Sequence, residues 1–175
     1  MADKGKLIDP IDAAFDEVVN RIMAGNDSSS SRSALEMQEQ VWGKKLSKTD
    51  AQQETSGGLV PYLRLTRGAD KNVDYQTWFR TDFFGSQNWQ AAKFGREDVE
   101  QCKVVMDVIF CGVSLGDKVF LATHGQDRWE SNNAPNTWVH WPTEIQGLLQ
   151  KNDLSGQRVQ LIRESDGSFT MILGD

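Results

Sequence analysis

The sequence predicts an α+β protein, in which a small, strand-rich barrel or sandwich with short helices follows a helical N-terminal arm. Two observations lead to this prediction. From residue 59 to residue 175, apolar side chains recur mainly with a period of two, which is typical of half-buried strands. From residue 1 to residue 58, apolar residues recur at helical spacing and are interrupted by a serine-rich linker. The length of 175 residues fits one main domain with an appendage.

The arm begins with a predicted amphipathic helix. Asp9 is suited to cap its N-terminus and Gly25 to end it, and Phe15, Val19 and Ile22 lie on its apolar side. A helix of about four turns is too short to be stable alone in water. It therefore either docks on the main domain or binds a protein partner, and the sequence permits both.

The rest of the arm is mostly polar. The run NDSSSSRS, residues 26–33, predicts a flexible linker because it has no apolar area to bury. A second short helix is predicted for SALEMQEQVW, residues 33–42, with Val41 and Trp42 among its apolar contacts. The polar stretch that follows it ends at Gly58.

The main domain opens with two predicted strands and a hairpin. The segment LVPYLRLTR, residues 59–67, alternates in polarity, and Pro61 places it at a sheet edge. The segment YQTWFRTDFF, residues 75–84, also alternates and is predicted to be a strand. In residues 101–125, two β-branched runs predict a hairpin, with its turn at residues 115–117.

The last third of the chain predicts a strand, a short helix and a second hairpin. In NTWVHWP, residues 136–142, the alternation assigns Val139 and Trp141 to the core. Pro142 then suits the first turn of a two-turn helix, for which residues 143 and 146 form a capping-box pattern. Asp166 and Gly167 supply the turn of the closing hairpin.

Composition and charge exclude several classes of protein. The net charge is −6 and the pI is near 5.0, which disfavours a broad basic surface for phosphate backbones. No apolar stretch approaches the ~18 residues of a membrane helix, and the start of the chain lacks the apolar region of a secretory signal. Cys102 and Cys111 are predicted to be free and buried. These features predict a soluble, cytoplasmic protein without a membrane partner.

Motifs of familiar enzymes are missing from the sequence. It has no nucleophile elbow, no P-loop, no dinucleotide fingerprint and no zinc-binding spacing, so we expect neither a metal nor a cofactor. The segment HGQDRWE does gather His124, Asp127, Arg128 and Glu130 within seven residues, and His140 lies further along. An enzyme of unfamiliar type could draw a general acid and base from them. A polar loop explains the same cluster, and we favour a protein without catalytic activity.

Aromatic residues interleaved with arginine are the feature that suggests a function. Single-stranded nucleic acids bind to such faces, because stacking contributes ~1–3 kcal/mol per base without a strongly basic protein. The same residue types mark protein–protein hot spots. The predicted function is a non-catalytic binding module, with nucleic acid, in particular DNA, ahead of a protein ligand. The alternative is a protein-binding adaptor or inhibitor that uses the N-terminal helix and the acidic surface. The predicted contact residues are Arg64, Trp78, Arg80, Arg128, Trp129, Trp138 and His140.

One segment also resembles a known family. A hairpin followed by TWVHWPTEIQGLLQKNDLSGQRVQLIRESDGSFTMIL, over roughly residues 99–173, is similar to the B3-type DNA-recognition domains of plant transcription factors and some bacterial restriction enzymes. The resemblance implies a pseudobarrel of about seven strands with two short helices. It also implies that double-stranded DNA is recognised in the major groove by loops and strand ends.

Overall fold

A computed structural model describes residues 39–67, 72–125 and 136–174 of the chain. All of them belong to one unit, which begins at Glu36. The predicted N-terminal helix with Phe15, Val19 and Ile22 lies outside the described residues, as do the serine linker and the predicted contacts Arg128 and Trp129.

The described residues form a curled, half-barrel sheet of eight strands with few helices. The strands are β1 (Gln40–Lys45), β2 (Tyr62–Arg64), β3 (Gln90–Phe94), β4 (Glu97–Phe110), β5 (Val113–His124), β6 (Thr137–His140), β7 (Arg158–Arg163) and β8 (Phe169–Leu173). Their order in the sheet is β1-β7-β8-β4-β5-β6-β2, and β3 also pairs with β4. All neighbours are antiparallel except β4 and β8, which are parallel. A π-helical turn (Phe79–Phe83) and one α-helix, α1 (Thr143–Lys151), complete the described elements. The prediction of a strand-rich, barrel-like domain with short helices is confirmed.

The first strand corrects the predicted arm. The end of the predicted second helix is strand β1, which pairs antiparallel with β7 so that Trp42 lies opposite Leu161. Trp42 is buried, and its indole N–H donates to the Thr66 carbonyl at 3.0 Å. The β-rich unit therefore begins well before Leu59, because a strand partner and a core position far along the chain determine the conformation of this segment.

The predicted strand over residues 75–84 is also wrong, since this segment is helical. The Trp78 amide donates to the Asp74 carbonyl, and the Phe84 amide donates to the Phe79 carbonyl, both at 2.9 Å. The second bond spans five residues, as in a π-helix. The Asp74 carboxylate accepts from the Thr77 hydroxyl at 3.1 Å, as a helix cap does. The turn directs Phe79 and Phe83 into the core.

The hairpin of β4 and β5 turns earlier than predicted. Its two-residue loop is Cys111 and Gly112, which both have positive φ values, of 49° and 77°. Such loops match the twist of the flanking strands. Gly116, at the predicted turn, instead lies where the register of the two strands shifts by one residue. Cys102 is buried as predicted, but Cys111 is exposed because it lies in the loop.

Several other predictions are confirmed. Strand β2 follows Pro61 and ends the sheet, as its proline predicts. Strand β6 leads into α1, although Pro142 caps this helix without a side-chain hydrogen bond, so the predicted capping box is absent. Strands β7 and β8 form the closing hairpin, and Gly167 has a φ of 87° in its turn.

The core lies on one side of the sheet, which we call the inner face; the opposite side is the outer face. The π-helical turn and α1 both contribute buried side chains to this core. Phenylalanine rings meet edge to face, with 4.9 Å between the centroids of Phe83 and Phe84. The largest fully buried side chains are Trp42, Trp138, Phe79, Phe83, Phe84, Phe120, Leu63, Leu65, Met106, Ile145, Leu149 and Leu161.

A buried ion pair joins β1 to the loop that follows it. Asp50 is 1% exposed, and its carboxylate accepts from the Lys44 ammonium at 2.8 Å and from the Ser47 hydroxyl at 2.7 Å. Lys44 also donates to the carbonyl of Arg64 in β2, and Trp141 donates to the Asp50 carbonyl. Burial alone would raise the pKa of Asp50, but the Lys44 charge and these hydrogen bonds hold it below its ordinary value.

Candidate functional site

Trp138, predicted as an exposed contact, is only 2% exposed, so that prediction is wrong. The alternation along β6 is nevertheless as predicted, since Trp138 and His140 share the outer face. That face is covered here by Phe94 of β3, whose ring centroid lies 5.2 Å from that of Trp138. Tyr62 of β2 adds a further ring contact at 6.0 Å. These four side chains form an outer aromatic cluster that packs on itself.

Trp78 and Arg80 also make contacts within the protein. Trp78 is half-buried against the rings of Phe79 and Phe83, at 4.9 Å and 5.2 Å between centroids. The Arg80 guanidinium donates twice to the Glu100 carboxylate, both bonds being 2.8 Å, and lies 4.8 Å from the Trp89 ring centre. The hydrogen bonds from Arg80 lower the pKa of Glu100. The Glu100 carboxylate thus already balances the charge of Arg80 in the free protein.

Arg64 is a predicted contact that remains accessible. Its side chain is 43% exposed, and its guanidinium lies 3.7 Å from the Asp50 carboxylate. Because it lies in β2, it is next to the outer aromatic cluster. An anion at this edge could contact Arg64 without breaking a short ion pair.

The two histidines do not share a site. His124 pairs with Thr137 across β5 and β6, whereas His140 pairs with Leu121, three residues away from His124 along β5. Since side chains alternate along a strand, the two imidazoles point to opposite faces of the sheet. Burial lowers the pKa of both, so both are neutral at neutral pH.

Each histidine is buried or half-buried and hydrogen bonds to a threonine hydroxyl on the neighbouring strand. His124 is 4% exposed and hydrogen bonds to the Thr137 hydroxyl at 2.8 Å. The cavity beside it, lined also by Asp98 and Glu100, has about 140 Å³, which is below the size of typical ligand pockets. His140 hydrogen bonds to the buried Thr123 hydroxyl. Among the described residues, no three potential metal ligands come together.

A large concave surface of the described residues lies on the outer face along β4, where the sequence did not predict a site. Two cavities of about 590 Å³ and 480 Å³ share Gln87 and Lys103, so they form one groove. We call it the β4 groove. Lys103, Val105 and Asp107 of β4 line it. Along β4 it is bounded at one end by residues 87–92 and at the other by residues 167–170, at the start of β8.

The base of the β4 groove changes in character along its length. In register across β4 and β5, Lys103 lies opposite Leu121, Val105 opposite Val119, and Asp107 opposite Asp117. The two valines are 52% and 57% exposed, which is unusual for facing apolar residues at the centre of a sheet. The surface is therefore basic at one end, apolar in the middle and acidic at the other.

The acidic end of the β4 groove has an unbalanced charge. Asp107 and Asp117 are cross-strand neighbours, and like charges in that position destabilise a sheet. None of the ion pairs between described residues involves either carboxylate. A cationic group bound here would relieve the repulsion.

A signal for this groove is present in the sequence. In KVVMDV, residues 103–108, the inward positions are all apolar, whereas the outward ones are Lys103, Val105 and Asp107. The exposed valine between opposite charges stands out only once the inward face is known. Strands β3 and β8 lie along one edge of β4 and bound the groove at its two ends. Their position cannot be inferred from this alternation.

Comparison with known proteins finds no matching family model, no matching curated protein and no matching solved structure. No helix among the described residues is long and apolar enough to cross a membrane.

Proposed function

We propose that this protein is a non-catalytic binding module that holds an extended polypeptide in the β4 groove. The observation that carries this proposal is the exposed Val105 in the base of the groove, which lies between Lys103 and the aspartate pair and opposite the exposed Val119 of β5. Exposed apolar side chains flanked by charges are characteristic of surfaces that bind other proteins.

The β4 groove has room for a short segment of polypeptide. Its two adjoining parts have about 590 Å³ and 480 Å³, and each of them is as large as a pocket of ~300–1,000 Å³ that holds a drug-sized molecule. Its lining is rich in amide side chains, namely Gln87, Asn88, Gln90 and Gln101. Amides can both donate to and accept from a peptide backbone.

The charge of the groove favours a polypeptide over a nucleic acid. Lys103 is the only cation among the described residues that line it, and Asp107 and Asp117 lie at its other end. A phosphate backbone would be repelled by the two carboxylates, and the net charge of −6 adds no long-range attraction. The sequence-based preference for DNA therefore becomes the second candidate.

Nucleic acid stays the second candidate because the outer aromatic cluster and Arg64 could bind it. Tyr62, Phe94 and His140 are half-buried, so parts of their rings remain accessible, and Arg64 lies beside them with a 43% exposed side chain. A short single strand could stack a base there and place a phosphate on the guanidinium. The Arg64 site and the β4 groove are separate, so mutations can tell the two functions apart.

The test is a binding experiment with two classes of probe. A library of random linear 12-residue peptides on phage is selected on the immobilised full chain, and fluorescein-labelled single-stranded and duplex oligonucleotides are titrated by anisotropy at low and moderate salt. The groove variant is Val105→Glu. Its matched control is Val113→Glu, because Val113 is 62% exposed and does not line the groove.

Polypeptide binding predicts that selected peptides bind the natural chain and the Val113→Glu control alike, and bind Val105→Glu at least tenfold more weakly. Binding of oligonucleotides alone, lost in Arg64→Ala and retained in Val105→Glu, would contradict the proposal and favour the nucleic-acid function. Selection of no peptide at all would also contradict it.

A further inference from the structure

Strand β4 has an edge with a gap in its pairing. Along one edge it pairs with β5 over nearly its whole length. Along the other edge it pairs with β3 as far as Gln101 and with β8 from Asp107 onward. In the described part of the chain, no strand pairs with residues 102–106 on that edge. The gap lies between two strands of the same sheet.

The β4 groove lies at this gap. Its cavities are lined by Gln90, where β3 pairs with Gln101, and by Thr170, where β8 pairs with Asp107. Five residues at about 3.3 Å each give a gap of about 17 Å, the length of a short natural strand. Unpaired backbone groups at a strand edge are a template for another strand.

We infer that the polypeptide ligand binds as an added β-strand, which enters the gap between β3 and β8 and pairs with residues 102–106 of β4. This inference rests on the proposed function and specifies its mode. The guest would complete the row of strands on that edge of β4, and its outward side chains would lie beside Lys103, Val105 and Asp107.

The charges of the β4 groove define the chemistry of the guest. Alternate residues of a strand share a face, so three alternate guest positions lie beside Lys103, Val105 and Asp107. From the Lys103 end of β4 to the Asp107 end, the complementary guest presents an acidic residue, an apolar residue and a basic residue, each separated by one position. The basic residue would balance Asp107 and Asp117, which repel each other in the free protein.

The guest's direction is left open by its neighbours, because β3 runs antiparallel to β4 and β8 runs parallel to it. An acidic-to-basic order in the peptide corresponds to a parallel guest, and a basic-to-acidic order to an antiparallel one. Selected peptides therefore report the direction through their sequence.

The test applies the peptide library to the full chain and to Lys103→Glu, with Lys93→Glu as the matched control. Lys93 lies in β3, has a 64% exposed side chain and does not line the groove. The natural chain and the control are expected to enrich the alternating acidic, apolar, basic pattern. Lys103→Glu is expected to enrich peptides with a basic residue in place of the acidic one, and to bind the original peptides about tenfold more weakly.

Backbone pairing is tested with the strongest selected peptide. N-methylation of the backbone at single positions removes one amide donor while the side chain is kept. Strand addition predicts that methylation at alternate positions lowers affinity at least tenfold and that methylation at the intervening positions has a small effect, because only every second amide points to β4.

The outcomes separate the inference from the function on which it rests. Peptides that bind the groove, as judged by Val105→Glu, but are insensitive to methylation at every position, would overturn strand addition and leave polypeptide binding intact. Peptides without the alternating pattern, with no change of preference in Lys103→Glu, would overturn the assigned guest chemistry. If no peptide is enriched, both proposals fail.

Discussion

Replacing Asp50 with asparagine should remove a large part of the stability of the β-rich unit. The carboxylate is 1% exposed and accepts from Lys44 at 2.8 Å and Ser47 at 2.7 Å, while the Lys44 side chain is only 14% exposed. The variant leaves the Lys44 ammonium buried without its counter-charge. Breaking a buried ion pair in this way costs about 3–5 kcal/mol, which is a large share of the ~5–15 kcal/mol by which domains are stable.

Urea denaturation of the full chain, followed by tryptophan fluorescence, measures this loss. Asp98→Asn is the matched control, because Asp98 pairs with Lys93 at side-chain exposures of 87% and 64%, where an ion pair contributes less than about 1 kcal/mol. Adding Lys44→Met to Asp50→Asn should restore part of the stability, since it removes the uncompensated charge. A loss below about 1 kcal/mol for Asp50→Asn would mean that the Asp50–Lys44 pair contributes no more than an exposed ion pair.

The Asp50–Lys44 ion pair should also make the free energy of unfolding depend on pH in the acid range. The pKa of Asp50 is lowered in the folded state, so the pair stabilises the protein fully above the ordinary aspartate value of about 3.9 and is lost as the pH falls through the lower, folded value. The free energy of unfolding of Asp50→Asn should therefore decline less between pH 5 and pH 2 than that of the natural chain, by urea titration at each pH. An equal decline in both would contradict the assignment.

Three further predictions follow from burial. A truncated chain that starts at Glu39 should keep a cooperative thermal transition, measured by circular dichroism. A chain that starts at Ser56 should lose this transition, because β1 and its buried tryptophan are removed. A cooperative transition in the Ser56 chain would contradict the assignment of β1 to the core. Burial raises the pKa of the Cys102 thiol to about 12. In the native protein at pH 8, a thiol reagent should therefore modify the exposed Cys111 and spare Cys102, which peptide mass spectrometry can measure. Equal labelling of the two cysteines would contradict this prediction. Burial lowers the pKa of His124 in the folded protein below the value of about 6.5 in the unfolded chain, so its contribution to stability is present above that pH and is lost as the pH falls. The free energy of unfolding should therefore fall less from pH 7 to pH 5 in His124→Gln than in the natural chain.

The C-terminal third of the fold could be predicted because its signals are local. Pro142 begins α1, Gly167 permits the left-handed backbone of a tight turn, and the strands on either side alternate cleanly. Pro61 likewise marks β2 as an edge strand. Each of these rules needs only the residue and its immediate neighbours.

The helical turn after residue 74 was missed because its pattern fits two periods. Tyr75, Phe79 and Phe83 are four residues apart, which places them on one side of a strand and also on one side of a helix. The deciding signal was Asp74, whose carboxylate caps the turn by accepting from the amide of residue 76 and the hydroxyl of Thr77. Alternation alone could not separate the two structures.

The candidate site was harder to predict because distant strands create it. The alternation of β6 correctly placed Trp138 and His140 together, but the burial of Trp138 depends on Phe94 from another strand. Strand β1 was missed for the same reason, since its partner β7 lies more than a hundred residues further along the chain. The β4 groove depends on two strands that share one edge of β4, which is a property of the topology.

Amide hydrogen exchange can show whether the β4 groove binds an extended polypeptide. Exchange is measured by NMR on the full chain with and without the strongest peptide selected from the library. Protection is expected to rise for amides in residues 102–106, where one edge of β4 lacks a strand partner among the described residues, while amides of β1 and β2 at the two ends of the sheet are unchanged. Protection that rises around Tyr62 and Phe94, with residues 102–106 unchanged, would mean that the groove is not where the peptide binds.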